Sequence, residues 1–206
     1  MSLEALGGAF NFPLKCTPEE KKHFVDPAMQ EAEKANFPRA LEIVENGLDA
    51  HPASQGLMFL KAYFGYKVAD GMSNELSSYP RVILQLGSGA LMVDGAMTSK
   101  MLNKFREIVN TLSEAEESIN ELLQANPGSK EAISFKGYID QKRQQLNQES
   151  DNMRTAFTRS PQIAGGFCLG CKKSISYETQ KIVFRKSSAS QLEAWHLGCY
   201  QATAKN

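Results

Sequence analysis

Cys168-Leu169-Gly170-Cys171 is followed, 24 residues later, by His196-Leu197-Gly198-Cys199. No other feature of this 206-residue sequence restricts its folding so strongly. Two residues between paired ligands let both side chains of a tight knuckle converge on one ion, and Gly170 suits a turn with positive φ. Two such pairs supply three thiolates and one imidazole, the four tetrahedral ligands of a structural zinc site. Cys168, Cys171, His196 and Cys199 are therefore the expected ligands, and one structural Zn2+ the expected cofactor. Between the pairs, 180–186 (QKIVFRK) reads as a strand and 187–190 as a turn. Trp195 offers an aromatic core residue, and a short terminal helix begins around His196. The expected module is a knuckle, a β-hairpin and a short helix with a metal clamping the two ends.

Other chemistries of paired cysteines each lack a required part. A redox-active CxxC needs a thioredoxin-like βαβ context, and a c-type haem site needs histidine directly after the second cysteine, where Lys172 stands. Zinc deaminases need an HxE motif upstream of PCxxC. Disulfide pairing needs an oxidising compartment. The first fifteen residues, MSLEALGGAFNFPLK, lack the basic and apolar regions of a secretory signal, so an intracellular location is expected, cytoplasmic or, in a eukaryote, nuclear. No apolar run reaches the roughly 18 residues of a membrane span, and no membrane association is expected.

Charge divides along the chain. Residues 1–160 hold 17 Lys/Arg and 21 Asp/Glu, a net of −4, whereas 161–206 hold 6 and 2, a net of +4. Lys172, Lys173, Lys181, Arg185 and Lys186 form the dense basic set, the candidate contacts if this segment grips nucleic acid.

The remainder reads as helical. Thr17-Pro18-Glu19-Glu20 offers an N-cap threonine, a proline in the first turn and a glutamate that can close a capping box. After the turn at 35–38, a helix is expected over 38–50 and another near 54–68. By composition 69–80 is a loop, 81–97 a glycine-interrupted helix, and helix returns from about 98, with a second capping box at Ser113 and Glu116 near a break. Offsetting the chain by 75 residues aligns Ala40, Ala50, Pro52, Ser54, Lys61 and Tyr63 with Ala115, Ala125, Pro127, Ser129, Lys136 and Tyr138. Each copy reads as a helix, a proline that ends it, and a second helix ending in a small-residue–Tyr pair, which is a helical hairpin. From 147 to 165 the periodicity stops and the composition is that of a linker.

Two resemblances follow from these residues. Asn36-Phe37, Ala40, Leu48 and Pro52 fall where a tetratricopeptide repeat has its packing residues, and the hairpins resemble that family, which implies a groove for a partner protein. Cys-x2-Cys followed by Trp-His-x2-Cys-Tyr resembles the first half of a LIM domain. With the basic residues of 172–186 it also resembles a poly(ADP-ribose) polymerase-type finger, which implies DNA-end or nick recognition; the spacer 187–194 offers only Leu192 for base stacking.

The expected fold is mainly α: tetratricopeptide-like helical hairpins over 1–146, a linker over 147–165, and a zinc-binding module over 166–206. Four protein ligands leave no coordination position for an activated water. The expected function is that of a non-catalytic adaptor whose helical region binds a protein partner; the alternative is nucleic-acid binding through the basic finger. Cys16 is expected to pack rather than react, His23 to be exposed, His51 to cap carbonyls, and Gly87-Ser88-Gly89 to be a kink or loop.

Overall fold

The computed structural model describes residues 15–79, 83–85, 90–164, 166–176, 180–186 and 192–203, with the side chains of 83–85, 153–164, 186 and 192 left aside. The Gly87-Ser88-Gly89 segment and the turn at 187–190 lie outside the described residues. The chain forms two compact units, 1–75 with 107–146 and 76–106 with 147–206. No described helix is long and apolar enough to cross a membrane.

The first unit is helical. Thr17 opens α1 (Pro18–Glu20) with the expected capping box: its N–H donates to Glu20 Oε2 at 2.6 Å, and its Oγ1 accepts from Glu20 N at 3.2 Å. The helix continues through a π-helical turn, Lys21–Val25, into α2 (Asp26–Glu33). Ala35 at φ 59° then reverses the chain into α3 (Phe37–Ala50). The segment 51–54 links α3 to α4 (Gln55–Ser77), as 126–129 links α5 (Gly95–Ala125) to α6 (Lys130–Ala164).

The two turns repeat each other bond for bond. His51 N donates to Gly47 O at 2.8 Å, and Asn126 N donates to Leu122 O at 2.8 Å. Buried Ser54 and Ser129 then cap the next helix, their Oγ atoms accepting from Leu57 N at 3.4 Å and Ala132 N at 3.2 Å. Ala40 and Ala115, and Val44 and Ile119, are buried at matching places. In the second copy close helix approach is not set by Gly137 of the small-residue–Tyr pair. A Cβ on Gly47 would stand 2.8 Å from Phe24 Cγ, and one on Gly65 would stand 3.3 Å from Ala115 Cβ, while Gly137 has nothing within 4 Å.

Three helical expectations need correction. The segment 69–80 continues α4 to Ser77, because Ala69 and Leu76 carry its buried face onward through polar neighbours. There is no break at Ser113: α5 is continuous, Ser113 Oγ donates back to Val109 O at 3.0 Å, and Glu116 binds Lys136 and Arg143 instead of capping. The segment 147–164, read as a linker, is helical. Its Gln, Glu, Arg and Met are good helix formers, and extending an existing helix avoids the cost of nucleation.

The second unit holds a four-stranded antiparallel sheet in the order β1 (Ile83–Gln85), β2 (Leu91–Asp94), β3 (Lys181–Lys186), β4 (Leu192–His196), followed by α7 (Leu197–Thr203). The hairpin and terminal helix are as expected. The helix expected over 81–97 is instead two strands and the start of α5, since short apolar runs between glycines suit strands better than helix. Asp94 ends β2 and opens α5, its Oδ1 accepting from Met97 N at 3.1 Å.

Two substitutions separate the roles of glycine in these helices. Gly47→Val should destabilise by about 1–3 kcal/mol through overpacking against Phe24 and Leu57. Gly71→Ala, in an exposed helical position with nothing within 4 Å, should stabilise by roughly 0.5–1 kcal/mol; urea midpoints check both.

Glu116 yields a pH prediction. Hydrogen bonding from Lys136 foremost, together with the Lys136 and Arg143 charges, holds its carboxyl below the usual range despite the opposing effect of burial. A carboxyl with a depressed folded value stabilises above its unfolded pKa, about 4.3 for glutamate, and loses that contribution as pH falls through the folded value. Glu116→Gln should therefore cost roughly 1 kcal/mol at pH 7 and progressively less below pH of about 4, measured by urea unfolding across pH.

Candidate metal centre

The knuckle is built by its own backbone. Cys168 N donates to Lys173 O at 2.9 Å and Lys172 N to Cys168 O at 2.8 Å, closing a loop in which Lys172, at φ 61°, takes the left-handed turn. That corrects the role expected of Gly170, whose φ is not positive. Gly170 is needed for space: a Cβ there would lie 3.0 Å from Cys199 Cβ and 3.2 Å from Trp195 Cζ3. Ile175 N donates to the O of Gly166, a glycine at φ 77°, and Phe167 bridges Ser174. On the other side Leu169 N donates to Ala194 O at 2.9 Å, fastening the knuckle to β4.

This framework brings all four expected ligands together. The donor atoms of Cys168, Cys171, His196 and Cys199 lie within 4.8 Å of one another. Zinc–sulfur and zinc–nitrogen bond lengths of about 2.3 and 2.0–2.1 Å imply a ligand tetrahedron with edges of about 3.5–3.8 Å. His196 Nδ1 stands 3.3 Å from Cys171 Sγ. Its Nε2 is buried with no hydrogen-bond partner among the described residues, so the cluster is where this imidazole makes its polar contact. The four side chains fit one metal ion.

Electrostatics prepare the site unevenly. Burial alone would raise the Cys168 thiol, but hydrogen bonds from the backbone N–H groups of Cys171, His196 and Gly170 bring it down to about 6. The Cys199 thiol is pushed up to about 11, first by its hydrogen bond with Cys171, then by burial and by the neighbouring sulfurs. Cys168 is thus the more readily deprotonated of the two, and a cation at the cluster would favour loss of the Cys199 proton.

No protein-family model, no curated protein and no solved structure matches this chain. The helical N-terminal region and the C-terminal Cys3His cluster stand on their own geometry.

The basic set is divided. Lys172 and Lys173 are exposed on the knuckle, which packs through Cys168 and Ile175 on the sheet face of Ile182 and Phe184. Lys181 and Arg185 alternate with those residues and take the opposite face, that of Val183 and Trp195. Lys181 pairs with Asp94 at 3.3 Å, and Arg185 lies across from Glu193. Lys186 ends β3 with its side chain outside the described residues. Sequence reasoning missed the exposed pair Phe167, at 62%, and Leu169, at 40%. The alternation of these residues about Cys168 was the available signal.

The minor residues behave simply. Cys16 is half-buried against Gly56, and burial, then the Glu20 carboxylate, push its thiol up to about 11, which suits packing. His23 is exposed. His51 rests edge-on to Phe24, ring centroids 5.8 Å apart, and it is its backbone N–H that meets a carbonyl.

Purified under reducing conditions, the chain should carry one metal equivalent by elemental analysis, and Cys168→Ser should lose it. Chelation should deprotect the amides of Leu169 and Ile175 in hydrogen exchange while most helical circular dichroism remains, because a segment of about 40 residues rarely folds without a staple.

Proposed function

We propose that this chain is a non-catalytic adaptor in which one structural zinc ion, held by Cys168, Cys171, His196 and Cys199, clamps a module that presents apolar side chains to a protein partner. The observation that carries the reading is the display of Phe167 and Leu169 on either side of the buried ligand Cys168. Exposed large apolar groups on a rigid hairpin cost little entropy to dock. Three thiolates and an imidazole suit zinc, and four protein ligands close its coordination shell, which favours a structural role. The tetratricopeptide-like hairpins supply a second apolar surface for protein binding.

Nucleic-acid binding through the finger is the second reading, favoured by the six basic against two acidic residues of 161–206. The division of the basic residues between two faces, and the pairing of Lys181 with Asp94, weigh against a single phosphate-gripping surface.

A salt titration decides between them. Affinity for intact, nicked and blunt-ended duplex DNA should be weak at low salt, indifferent to ends, and nearly lost at physiological ionic strength. Tight, end-selective binding at that salt, abolished by replacing Lys181, Arg185 and Lys186 with alanine, would overturn the adaptor reading.

A further inference from the structure

Two large apolar side chains of the second unit stand in the open on one short segment. Phe167 is 62% exposed and Leu169 40%, while Cys168 between them is fully buried. That alternation turns both to the side away from the Cys168 sulfur, about 6.4–6.8 Å apart along an extended chain. From Leu169 to Ser174 every residue is exposed, so the knuckle stands out from the sheet it packs on. The same loop carries Lys172 and Lys173, and no described carboxylate pairs with either. On β3, by contrast, Lys181 has Asp94 at 3.3 Å and Arg185 has Glu193 in register.

Lys172 supplies a further observation. Its φ of 61° lies in the left-handed region, which glycine enters freely and a residue with a side chain enters at a cost. Its N–H, donated to Cys168 O at 2.8 Å, helps to hold it there. Its side chain is exposed and makes no hydrogen bond or ion pair with a described residue. No described contact therefore offsets the cost of a lysine at this place. A residue held in such a conformation with its charged end free, in a loop that also displays Phe167 and Leu169, points to a ligand outside the chain.

We propose that the knuckle takes an acidic, extended segment of a partner protein, whose alternate apolar side chains meet Phe167 and Leu169 while its carboxylates meet Lys172 and Lys173. Charge complementarity selects this occupant. An apolar contact alone would accept any hydrophobic surface, whereas two lysines without carboxylates in the same loop favour a segment that brings its own. The spacing of Phe167 and Leu169 matches the two-residue repeat of an extended peptide, which places every second side chain on one side. Ion pairs at such an exposed tip contribute modestly and are screened by salt, so they choose the partner while the apolar pair supplies most of the affinity. The inference rests on the adaptor reading and names the chemistry of the partner that the metal-clamped module binds.

Selection of a random-peptide phage library on the full-length, metal-loaded chain tests it, with the Phe167→Ser chain as counter-target. The expected consensus places apolar residues at alternate positions beside Asp or Glu. Made as a fluorescent peptide, that consensus should bind with Kd on the order of 10 μM, as suits a contact smaller than a standard interface. Phe167→Ser should raise the Kd at least about tenfold with metal content and circular dichroism unchanged. Lys172→Gly should raise it about threefold at low salt while knuckle amides exchange no faster, because glycine is unstrained at that φ. A merely structural role for Lys172 predicts no loss of affinity from that change. No enrichment, a consensus without carboxylates, or an affinity indifferent to Lys172→Gly overturns the proposal. So does binding to phosphatidylserine vesicles, lost in Phe167→Ser, in place of any peptide. Peptides that bind the Phe167→Ser chain equally well also overturn it, yet leave the helical surface of the adaptor reading standing, so the two failures are told apart.

Discussion

The sulfur of Cys168 is fully buried and serves two neighbourhoods at once. It belongs to the ligand cluster, and it packs in the apolar cluster of Val93, Ile175, Ile182, Phe184 and Ala194. A thiolate in such surroundings is costly unless matched by opposite charge or hydrogen bonds. Backbone N–H groups of Cys171, His196 and Gly170 match it in part, and a divalent cation held by the cluster would complete the match. The rest of the unit is tied to this point by short steps. The N–H and C=O of Cys168 close the knuckle, and Leu169 fastens it to β4. Then β4 pairs with β3, β3 with β2, and β2 ends at Asp94, which caps α5. The knuckle and the sheet are thus joined through the Leu169–Ala194 hydrogen bond and the shared apolar cluster.

The helical unit rests on a different constraint, the reuse of one local instruction. A proline after a helix, then a buried serine that caps the next, produces the same turn at 51–54 and 126–129. Local chemistry sets the turn and leaves open what covers the outer face of the second helix. That depends on the neighbour: α6 covers Tyr63 of α4, whereas Ile133 and Tyr138 of α6 stay about half exposed. Identical tyrosines thus become a core residue in one copy and a surface residue in the other.

The parts legible in the sequence were those written in short spacings. The capping box at Thr17, the helical hairpins and the four converging ligands all depend on residues a few positions apart or on a fixed ligand chemistry. The expectations that failed involve long-range partners. Strands β1 and β2 need β3, almost ninety residues on, to become a sheet, so 81–97 carried only an ambiguous apolar signal. The polar stretches 69–77 and 147–164 are helical because an existing helix propagates through them, which composition alone does not display. Gly170 was rightly singled out for the wrong reason. The crowding of Cys199 and Trp195 is a tertiary fact, and the positive φ passed to Lys172.

Asp94 shows how folding redistributes the charge read along the chain. It belongs to the acidic segment 1–160, yet its strand pairs with β3 and its carboxylate meets Lys181 of the basic segment at 3.3 Å. Within the basic segment one of only two acidic residues, Glu193, stands across from Arg185. Asp94 thus pairs with the first cation of β3, and Glu193 stands in register with Arg185, on the face away from the knuckle. What stays clear of a carboxylate in these contacts is Lys172 and Lys173, on the knuckle near Phe167 and Leu169. Opposite charges placed cross-strand contribute modestly to stability, roughly 0.2–1 kcal/mol each. They also divide the described cations of this segment, leaving Lys172 and Lys173 on the knuckle apart from Lys181 and Arg185 on β3.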